Sequence, residues 1–235
     1  METVLPARDA FERYQFKPFT GSSHSWAIHR IEALSLSRSA RVLDVGPGSG
    51  AFGRHLKASG VEAPIAIEID AATRAHVSPH YRAVYESLSA ATGEDDFDLV
   101  LLLDVLEHMA DPFQFLQTVA ARVKPNGTIL ISVPNITHWS SRLMMATGRF
   151  DYTDRGILDR THLHFFTRRH FDELLCSVKD FKVTARSGSL APAEFVLPEG
   201  VTSSGAYRTL AAIRRQFAHY WPALFAYQHL GELRR

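Results

Sequence analysis

Cysteine is nearly absent from this chain, in which Cys176 is the single thiol. One thiol excludes an internal disulfide and is typical of proteins from reducing compartments, so we expect a cytoplasmic location. Cys176 falls within the helix-like stretch 171–178. We expect it to be buried there as a small apolar side chain rather than to act as a nucleophile.

The chain also lacks long apolar segments and an excess of one charge. No apolar run reaches the roughly 20 residues of a membrane-spanning helix, and the first residues do not form an apolar signal segment. The net charge of +1 gives no reason to expect nucleic acid or an anionic membrane as a partner. We therefore expect a protein without membrane insertion that acts on a small molecule. The length of 235 residues fits one α/β domain over 1–235.

A glycine-rich turn follows the first buried strand. Residues 41–45 form a short apolar run typical of such a strand, and an amphipathic helix follows from about Gly50 to Ala58. The turn between them needs residues without side chains, because its backbone must bend sharply and let a ligand approach closely. Asp44 ends the strand, where it can hold the first helical amides or a cationic ligand group. This pattern predicts a nucleotide-type site at the first crossover of an open sheet.

A second predicted strand, 64–70, ends in two carboxylates. Glu68 lies about twenty residues beyond the glycine turn, which suits an acid that accepts hydrogen bonds from ribose hydroxyls. Asp70 is the alternative, although the residues after it favour a role as the N-cap of the next helix. We favour Glu68 for the ribose, with Ile69 against the adenine.

The run Phe97 to Leu103 predicts a central parallel strand that is buried on both faces. Asp104 follows this strand, and the sequence Val-Leu-Glu-His continues from it to His108. We expect this segment to lie over the same crevice as the glycine turn.

These two motifs carry a resemblance to a known family. The spacing D-x-G-x-G-x-G from Asp44 to Gly50 resembles the first motif of class I S-adenosylmethionine-dependent methyltransferases, and Asp104 to His108 resembles their post-strand motif. From Arg41 to Val178 the chain is similar to the group that includes the ubiquinone-biosynthesis O-methyltransferase. It is also similar to uncharacterised bacterial methyltransferases of glycan and secondary-metabolite pathways.

The resemblance implies a Rossmann-like sheet of seven strands, mostly parallel, with an antiparallel last strand and helices on both faces. It implies S-adenosylmethionine as methyl donor and S-adenosylhomocysteine as product. Where the family usually has an aspartate beside the adenine, this chain has Ser87, so the backbone of Leu88 is left to make that contact. The expected donor contacts are Asp44, Gly46, Pro47, Gly48, Gly50, Glu68, Ile69, Ser87, Leu88, Asp104, Val105 and His108.

The remaining segments are assigned by their position around this core. We expect a helical cap over 1–40, the cofactor-binding core over 41–134 and a substrate lid over 135–166. Residues 167–235 hold a helix capped by Thr167, a second insertion with a basic helix near 206–219, and a last strand at 223–230. The cap either packs on the sheet or, through Tyr14 and Ser23-His24, closes over the cofactor. The basic helix either exposes its charged face to solvent or binds an acidic substrate or a lipid surface.

The lid is dense in histidine, arginine, aspartate and aromatic residues, which is unusual for a passive loop. We expect acceptor contacts from His138, Trp139, Arg149 and Tyr152. A hydroxyl acceptor must lose a proton as it attacks, and histidine is the usual base near neutral pH. We predict His162 as that base, oriented by Asp159, with His164, His108 and His138 as the other candidates.

The pair His162 and His164 allows a second interpretation. On a strand both rings would point to one face, and Asp159 could add an oxygen ligand for a divalent metal. Because such a pair is common without metal, we assign no metal ligand.

The predicted function is methyl transfer from S-adenosylmethionine to a small molecule, with a hydroxyl oxygen as the expected acceptor atom. The alternatives are N- or C-methylation with the same donor, a non-catalytic module that binds the donor, and a nicotinamide-dependent oxidoreductase. The glycine spacing argues against the last. The acceptor and the oligomeric state, including a homodimer, stay open at this point.

Overall fold

The computed structural model describes residues 16, 17, 19–62, 64–192, 198–202 and 204–235. The strands of its sheet are β1 (Val42–Val45), β2 (Ile65–Ile67), β3 (Ala83–Tyr85), β4 (Phe97–Leu103), β5 (Val123–Pro134), β6 (Lys182–Gly188) and β7 (Gln228–Arg234). They form one seven-stranded sheet in the order β3-β2-β1-β4-β5-β7-β6. Strands β1 to β5 pair in parallel, and β7 is antiparallel to both β5 and β6. The expected Rossmann-like fold with an antiparallel last strand is confirmed.

Helices connect these strands on both faces of the sheet. The helices are α1 (Ser23–Ala33), α2 (Ala51–Ala58), α3 (Ala71–Val77), α4 (Pro112–Ala121), α5 (Trp139–Ala146), α6 (Arg168–Cys176), α7 (Glu199–Thr202), α8 (Gly205–Tyr220) and α9 (Pro222–Phe225). Within the described residues, no helix is both long and apolar enough to cross a membrane. Ser22, Asp111 and Thr167 each cap one of these helices, since each side chain accepts a hydrogen bond from a first-turn amide. The cap at Thr167 is among those that the sequence predicts.

The hydrophobic core lies on both sides of the central strands. Alternate residues of β4 point to opposite faces, so Val100 and Leu102 pack with α4 and α6 while Leu99 and Leu101 pack with α1 and α2. This double burial explains why β4 reads as a continuous apolar run. It also fixes the carboxyl ends of β1 and β4 side by side, since the two strands pair in register from Val42↔Leu99 to Val45↔Leu102.

The last strand differs from the prediction. The apolar residues 223–226 were expected in a strand, but Pro222 begins the short helix α9 and β7 starts only at Gln228. Proline is favourable in the first turn of a helix because its missing N–H is not needed there. Strand β7 instead buries polar side chains, among them Gln228, His229 and Glu232, which sequence hydropathy does not indicate as strand residues.

One further expectation is wrong. Cys176 is exposed, not buried, because α6 turns Phe171, Leu174 and Leu175 toward the core and leaves Cys176 on the other side. Strand β5 begins at Val123, and its pairing with β4 shifts register between Phe97 and Leu99.

Candidate functional site

The glycine turn has the sharp geometry that the sequence predicts. Gly46, Gly48 and Gly50 have φ angles of 66°, 52° and 71°, a region that side-chain-bearing residues rarely adopt. The Gly50 N–H donates to the Pro47 carbonyl at 2.8 Å, which closes the turn at the start of α2. A Cβ atom on Gly46 would lie 3.0 Å from Val105 Cγ2, so the turn also packs against the segment that follows β4.

Asp44 lies at the foot of this turn and is almost fully buried, at 3 % exposure. Its carboxylate accepts a hydrogen bond from the Tyr81 hydroxyl, and the same hydroxyl accepts from the Gly53 N–H at 3.0 Å. Burial raises the pKa of Asp44 to about 7, the Tyr81 hydrogen bond lowers it, and the nearby Glu68 raises it again. Asp44 therefore braces the turn from inside, through a tyrosine that sequence reasoning missed.

The two carboxylates after β2 have separate roles in the structure. Asp70 caps α3, because its Oδ1 accepts from the Thr73 N–H at 2.8 Å and from the Thr73 hydroxyl at 2.7 Å. The Glu68 side chain accepts from the Asp70 N–H at 2.8 Å, and burial raises its pKa. Ile69 between them is 86 % exposed. The sheet edge next to the glycine turn thus presents a partly buried carboxylate and an uncovered apolar side chain.

Ser87 and Leu88 follow β3 at the same edge. The Ser87 hydroxyl is exposed and lies 2.9 Å from the Ser89 hydroxyl, whereas the Leu88 side chain is buried in the core. The Leu88 side chain is therefore used for packing, and this leaves its backbone as the polar group available at that position.

Asp104 ends β4 with φ of 57° and is held from three directions. The Ser132 hydroxyl donates a hydrogen bond to the Asp104 carboxylate at 2.7 Å. The Gln228 amide donates to both carboxylate oxygens, at 2.5 Å and 2.6 Å, and the Lys17 ammonium lies 3.5 Å from the carboxylate. Burial by itself would raise the pKa of Asp104, but Lys17, these hydrogen bonds and His24 together lower it. Asp104 is thus a fixed negative charge beside the glycine turn.

The amino-terminal segment covers this side of the crevice. The backbone N–H of Lys17 donates to His24 Nδ1 at 2.9 Å, and Phe16 and His24 both contact Phe52 of α2 edge-on. Burial, together with the Lys17 charge, lowers the pKa of His24 to about 4. Ser23 is buried at the start of α1, and Tyr14 lies outside the described residues.

The segment after Asp104 brings a carboxylate and two imidazoles together. Glu107 is fully buried, and His162 Nε2 lies 4.0 Å from its Oε1. The rings of His108 and His162 meet edge to face, with 4.9 Å between centroids. Burial and the Asp104 charge hold the pKa of Glu107 well above its usual range, and burial and His108 lower the pKa of His162. One potential ligand atom from each of these three residues lies within 4.8 Å of the others.

Asp159 and His164 lie outside this group. The Asp159 carboxylate accepts from the Thr161 N–H at 2.9 Å and the Thr161 hydroxyl at 2.7 Å, while the His162 ring is held by the Ile157 carbonyl at 3.1 Å from Nδ1. His164 Nε2 lies 3.1 Å from the Ala110 carbonyl. Residues 161–164 are not a strand, and the alternative metal set of Asp159, His162 and His164 is not assembled within the described residues.

The expected acceptor contacts divide into buried and exposed groups. His138 is 3 % exposed and caps α5, with its Nδ1 2.7 Å from the Ser140 hydroxyl, and burial followed by the Arg214 charge lowers its pKa to about 4. Trp139 and Tyr152 are 49 % and 55 % exposed. Arg149 pairs with Asp151 at 2.6 Å on the surface.

An aromatic chain links part of this surface to the histidines. Tyr152 contacts Phe150, Phe150 contacts Phe165, and Phe165 contacts His162, with centroid separations of 5.6 Å, 5.8 Å and 6.3 Å. Tyr152 therefore lies at the outer end of a wall that leads to His162. Sequence reasoning did not foresee the roles of Lys17, Tyr81, Glu107, Ser132 and Gln228, since their partners are far away in the sequence.

Comparisons with known proteins agree with this geometry. A family model described as a methyltransferase domain matches residues 22–185. The ubiquinone biosynthesis O-methyltransferase of Bradyrhizobium diazoefficiens is 30 % identical over 140 residues, which cover 56 % of this chain and 54 % of that protein. The protein of the same name from Rhodopseudomonas palustris is 29 % identical over 167 residues, which cover 67 % of this chain and 64 % of that protein. The matched region thus spans between about half and two thirds of these curated relatives.

Solved structures share the fold. A SAM-dependent methyltransferase from Archaeoglobus fulgidus superposes with a TM-score of 0.58 at 19 % identity, covering 93 % of this chain and 97 % of that one. An S-adenosylmethionine-dependent methyltransferase from Mesorhizobium loti superposes with a TM-score of 0.57 at 18 % identity, covering 92 % of this chain and 99 % of that one. With the family model matched over most of the chain and the glycine turn, Asp44 and Asp104 in place, the chain belongs to the class I S-adenosylmethionine-dependent methyltransferases.

Proposed function

We propose that this chain transfers the methyl group of S-adenosylmethionine to a hydroxyl oxygen of a small molecule and releases S-adenosylhomocysteine. The donor would lie along the carboxyl ends of β1, β2 and β4. Glu68 would accept hydrogen bonds from the ribose hydroxyls, Ile69 would cover the adenine, and the Leu88 backbone would meet the adenine amino group. The glycine turn, Asp104, Val105 and His108 would line the remainder of the donor site.

The reaction asks for little covalent chemistry from the protein. The sulfonium makes the methyl group electrophilic and leaves as a neutral thioether. Holding the attacking oxygen, the methyl carbon and the sulfur in line supplies much of the acceleration, about 7 kcal/mol or more where the alignment is good. The two partners must therefore be bound rigidly next to each other, and the lid proposed over 135–166 would hold the acceptor.

His162 carries the assignment of a hydroxyl acceptor. Its side chain is 5 % exposed, and because a carbonyl can only accept, the Ile157 carbonyl fixes the ring proton on Nδ1. The Nε2 lone pair is then directed away from Ile157, into the region beside Glu107. We assign His162 as the residue that prepares the hydroxyl for attack, in the simplest form by accepting its proton. Asp159 would support this loop through Thr161.

Other features support the acceptor side. Trp139, Arg149 and Tyr152 are among the exposed groups of the lid and would contact a small molecule. His138 would position Trp139 through the start of α5. The name of the matched relatives, ubiquinone biosynthesis O-methyltransferase, favours oxygen as the methylated atom.

The test is labelled methyl transfer from S-adenosylmethionine onto extracts of the source cell, with mass identification of the product. We expect His162→Gln to lower the rate about a hundredfold while S-adenosylhomocysteine still binds with unchanged heat. His29→Gln, on the exposed face of α1, is the matched control and should keep the wild-type rate.

Each other outcome has a definite meaning. A product methylated at nitrogen or carbon would overturn the assignment of oxygen. Near-wild-type turnover by His162→Gln would remove His162 from the chemistry. Donor binding without turnover in any extract would favour a non-catalytic binding module.

A further inference from the structure

Tyr227 is a half-buried tyrosine directly before β7, and the reaction proposed above does not use it. Its backbone N–H donates to the Ser189 carbonyl at 2.8 Å, and its own carbonyl accepts from the Asn135 N–H at 3.0 Å. Ser189 follows β6 and Asn135 follows β5. The backbone of Tyr227 is therefore fixed from both sides by the strands that flank β7.

The side chain of Tyr227 reaches the proposed lid. Its ring meets the His138 ring edge to face, with 5.6 Å between the centroids. A Cβ atom on Gly156 would lie 2.9 Å from the tyrosine hydroxyl oxygen, so the backbone of the lid passes close to that oxygen. Burial and then the Asp104 charge raise the pKa of Tyr227, and a hydrogen bond from the Ile157 N–H lowers it. The hydroxyl is thus a neutral group that accepts from the lid.

Ile157 connects Tyr227 to His162. The N–H of Ile157 contacts the tyrosine hydroxyl, and its carbonyl lies 3.1 Å from His162 Nδ1. The carbonyl can only accept, so the imidazole proton is on Nδ1 and the lone pair is on Nε2. The Ile157 side chain is buried at 7 % exposure, which leaves this residue little room to move. Two hydrogen bonds therefore lead from the start of β7 to the imidazole ring.

We propose that Tyr227 is a positioning residue, which orients His162 by holding Ile157 through its hydroxyl. The catalytic meaning of this contact rests on the proposed function, whereas the orientation of the ring does not. Residues 154–158 form bends and turns rather than helix or strand, so regular hydrogen bonding does not fix this loop. A catalytic group must be held within about 0.5 Å of its productive position, and the rigid end of β7 supplies such a support.

The start of β7 would then support both sides of the reaction. Gln228, the next residue after Tyr227, donates to the two carboxylate oxygens of Asp104 at 2.5 Å and 2.6 Å. Two consecutive residues thus reach the carboxylate beside the glycine turn and the loop that carries His162. Tyr227 exchanges no proton in this role, because it acts only on the direction of the histidine lone pair.

The first experiment is a double-mutant cycle on labelled methyl transfer by the full chain, with extract of the source cell as acceptor. Tyr227→Phe keeps the ring and removes the hydroxyl. We expect it to lower the rate about tenfold alone, since a misplacement of 1 Å can cost up to about a hundredfold. In the His162→Gln background it should change nothing, because residues that act as one unit are not additive. Tyr220→Phe, at an exposed position, should keep the wild-type rate.

A second variant acts on the same contact from the lid. Gly156→Ala places a methyl group against the Tyr227 hydroxyl and should lower the rate in the same non-additive way. Gly148→Ala is its matched control, because both glycines lie in the proposed lid with positive φ, 94° and 76°. A Cβ atom on Gly148 meets nothing within 4 Å, so this control carries the backbone strain without the contact.

The second experiment observes His162 without any methyl transfer. In protein that is isotope-labelled at histidine, the Nδ1 proton of His162 gives a nuclear magnetic resonance signal that is absent from His162→Gln. We expect Tyr227→Phe and Gly156→Ala to shift this signal and to speed its exchange with water. Tyr220→Phe and Gly148→Ala should leave it unchanged. Every variant is titrated with S-adenosylhomocysteine, whose unchanged affinity reports an intact fold and donor site.

The two experiments distinguish the possible failures. If the His162 signal is unchanged in Tyr227→Phe, or if this variant lowers the rate by the same factor with and without His162, the positioning role is overturned and the proposed function stands. If the wild type methylates nothing in any extract, the proposed function fails. The His162 signal then still shows whether Tyr227 holds the ring. If Tyr227→Phe does not fold, Gly156→Ala and Gly148→Ala decide by the same criteria.

Discussion

The Tyr81 hydroxyl donates a hydrogen bond to the Asp44 carboxylate at 2.5 Å and accepts one from the Gly53 N–H at 3.0 Å. One phenol thus joins the end of β1 to the first turn of α2, across the glycine turn that connects them. A Cβ atom on Gly53 would lie 2.5 Å from the Tyr81 ring, so the close approach of helix and ring requires glycine there. The turn is held in its sharp conformation by packing from outside as well as by its own residues.

We expect Tyr81→Phe to lower the free energy of unfolding by about 1–3 kcal/mol, because it leaves both a buried carboxylate and a buried N–H without this partner. Urea unfolding followed by circular dichroism measures the change. Tyr220→Phe is the matched control, since Tyr220 is 68 % exposed. Equal stability of the two variants would contradict a bracing role for the Tyr81 hydroxyl.

Glu68→Gln should weaken the binding of S-adenosylhomocysteine by about ten- to a hundredfold, because hydrogen bonds to a charged group contribute about 1.5–3 kcal/mol. Isothermal calorimetry measures the affinity. Glu62→Gln is the control, since the Glu62 side chain forms an exposed ion pair with Arg38, and pairs of that kind contribute little.

Asp70→Ala separates the two carboxylates after β2. Loss of the α3 cap should cost about 1 kcal/mol of stability and leave donor affinity close to that of the wild type. The reverse result, with donor affinity lost in Asp70→Ala and kept in Glu68→Gln, would transfer the ribose contact to Asp70.

Gly46→Ala should reduce donor affinity and stability together. A residue with a side chain is strained at φ of 66°, and the new methyl group would lie 3.0 Å from Val105. Gly205→Ala is the control, because a Cβ atom there meets nothing within 4 Å at the start of α8. If calorimetry and thermal melting gave the same values for both variants, the turn would not need its left-handed conformation.

His229 should make the protein less stable in acid. Burial, with the charge of Arg168, lowers its pKa to about 4 from 6.5, and Asp172 opposes this shift. Because the unfolded chain binds the proton more tightly, the stabilisation is present above pH 6.5 and is lost as the pH falls toward 4. The loss is on the order of 3 kcal/mol over that window. We expect His229→Phe, which keeps the stacking on Phe171, to lose less stability than the wild type between pH 6.5 and 4 in urea titrations. Parallel curves would contradict a neutral His229 in the fold.

The core of the fold could be predicted from the sequence because its signals are local. Strands β1 and β4 are apolar apart from Asp44 and Asp98, and the turn between β1 and α2 has glycine at three positive φ angles. Asp70 could be recognised as a cap for the same reason, since its partner Thr73 is only three residues away.

The acceptor side could not be predicted in the same way, because its contacts join distant segments. His162 was noticed for its residue type, but its nearest carboxylate is Glu107 and not the nearby Asp159. Strand β7 was placed too early because its buried residues Gln228 and Glu232 find their hydrogen-bond partners only in the folded protein. Glu232, for example, accepts from Thr184 at 2.6 Å and pairs with Arg30 of α1.

The hydrogen bond between Gln228 and Asp104 has a consequence for the order of assembly. The two residues are 124 positions apart, and β7, the last strand in the sequence, inserts between β5 and β6 instead of adding to an edge. During synthesis, β1 to β5 can pair as they emerge, but Asp104 obtains its amide partner only after β7 has left the ribosome. A nascent chain that stops before β7 would therefore lack the amide that holds the Asp104 carboxylate.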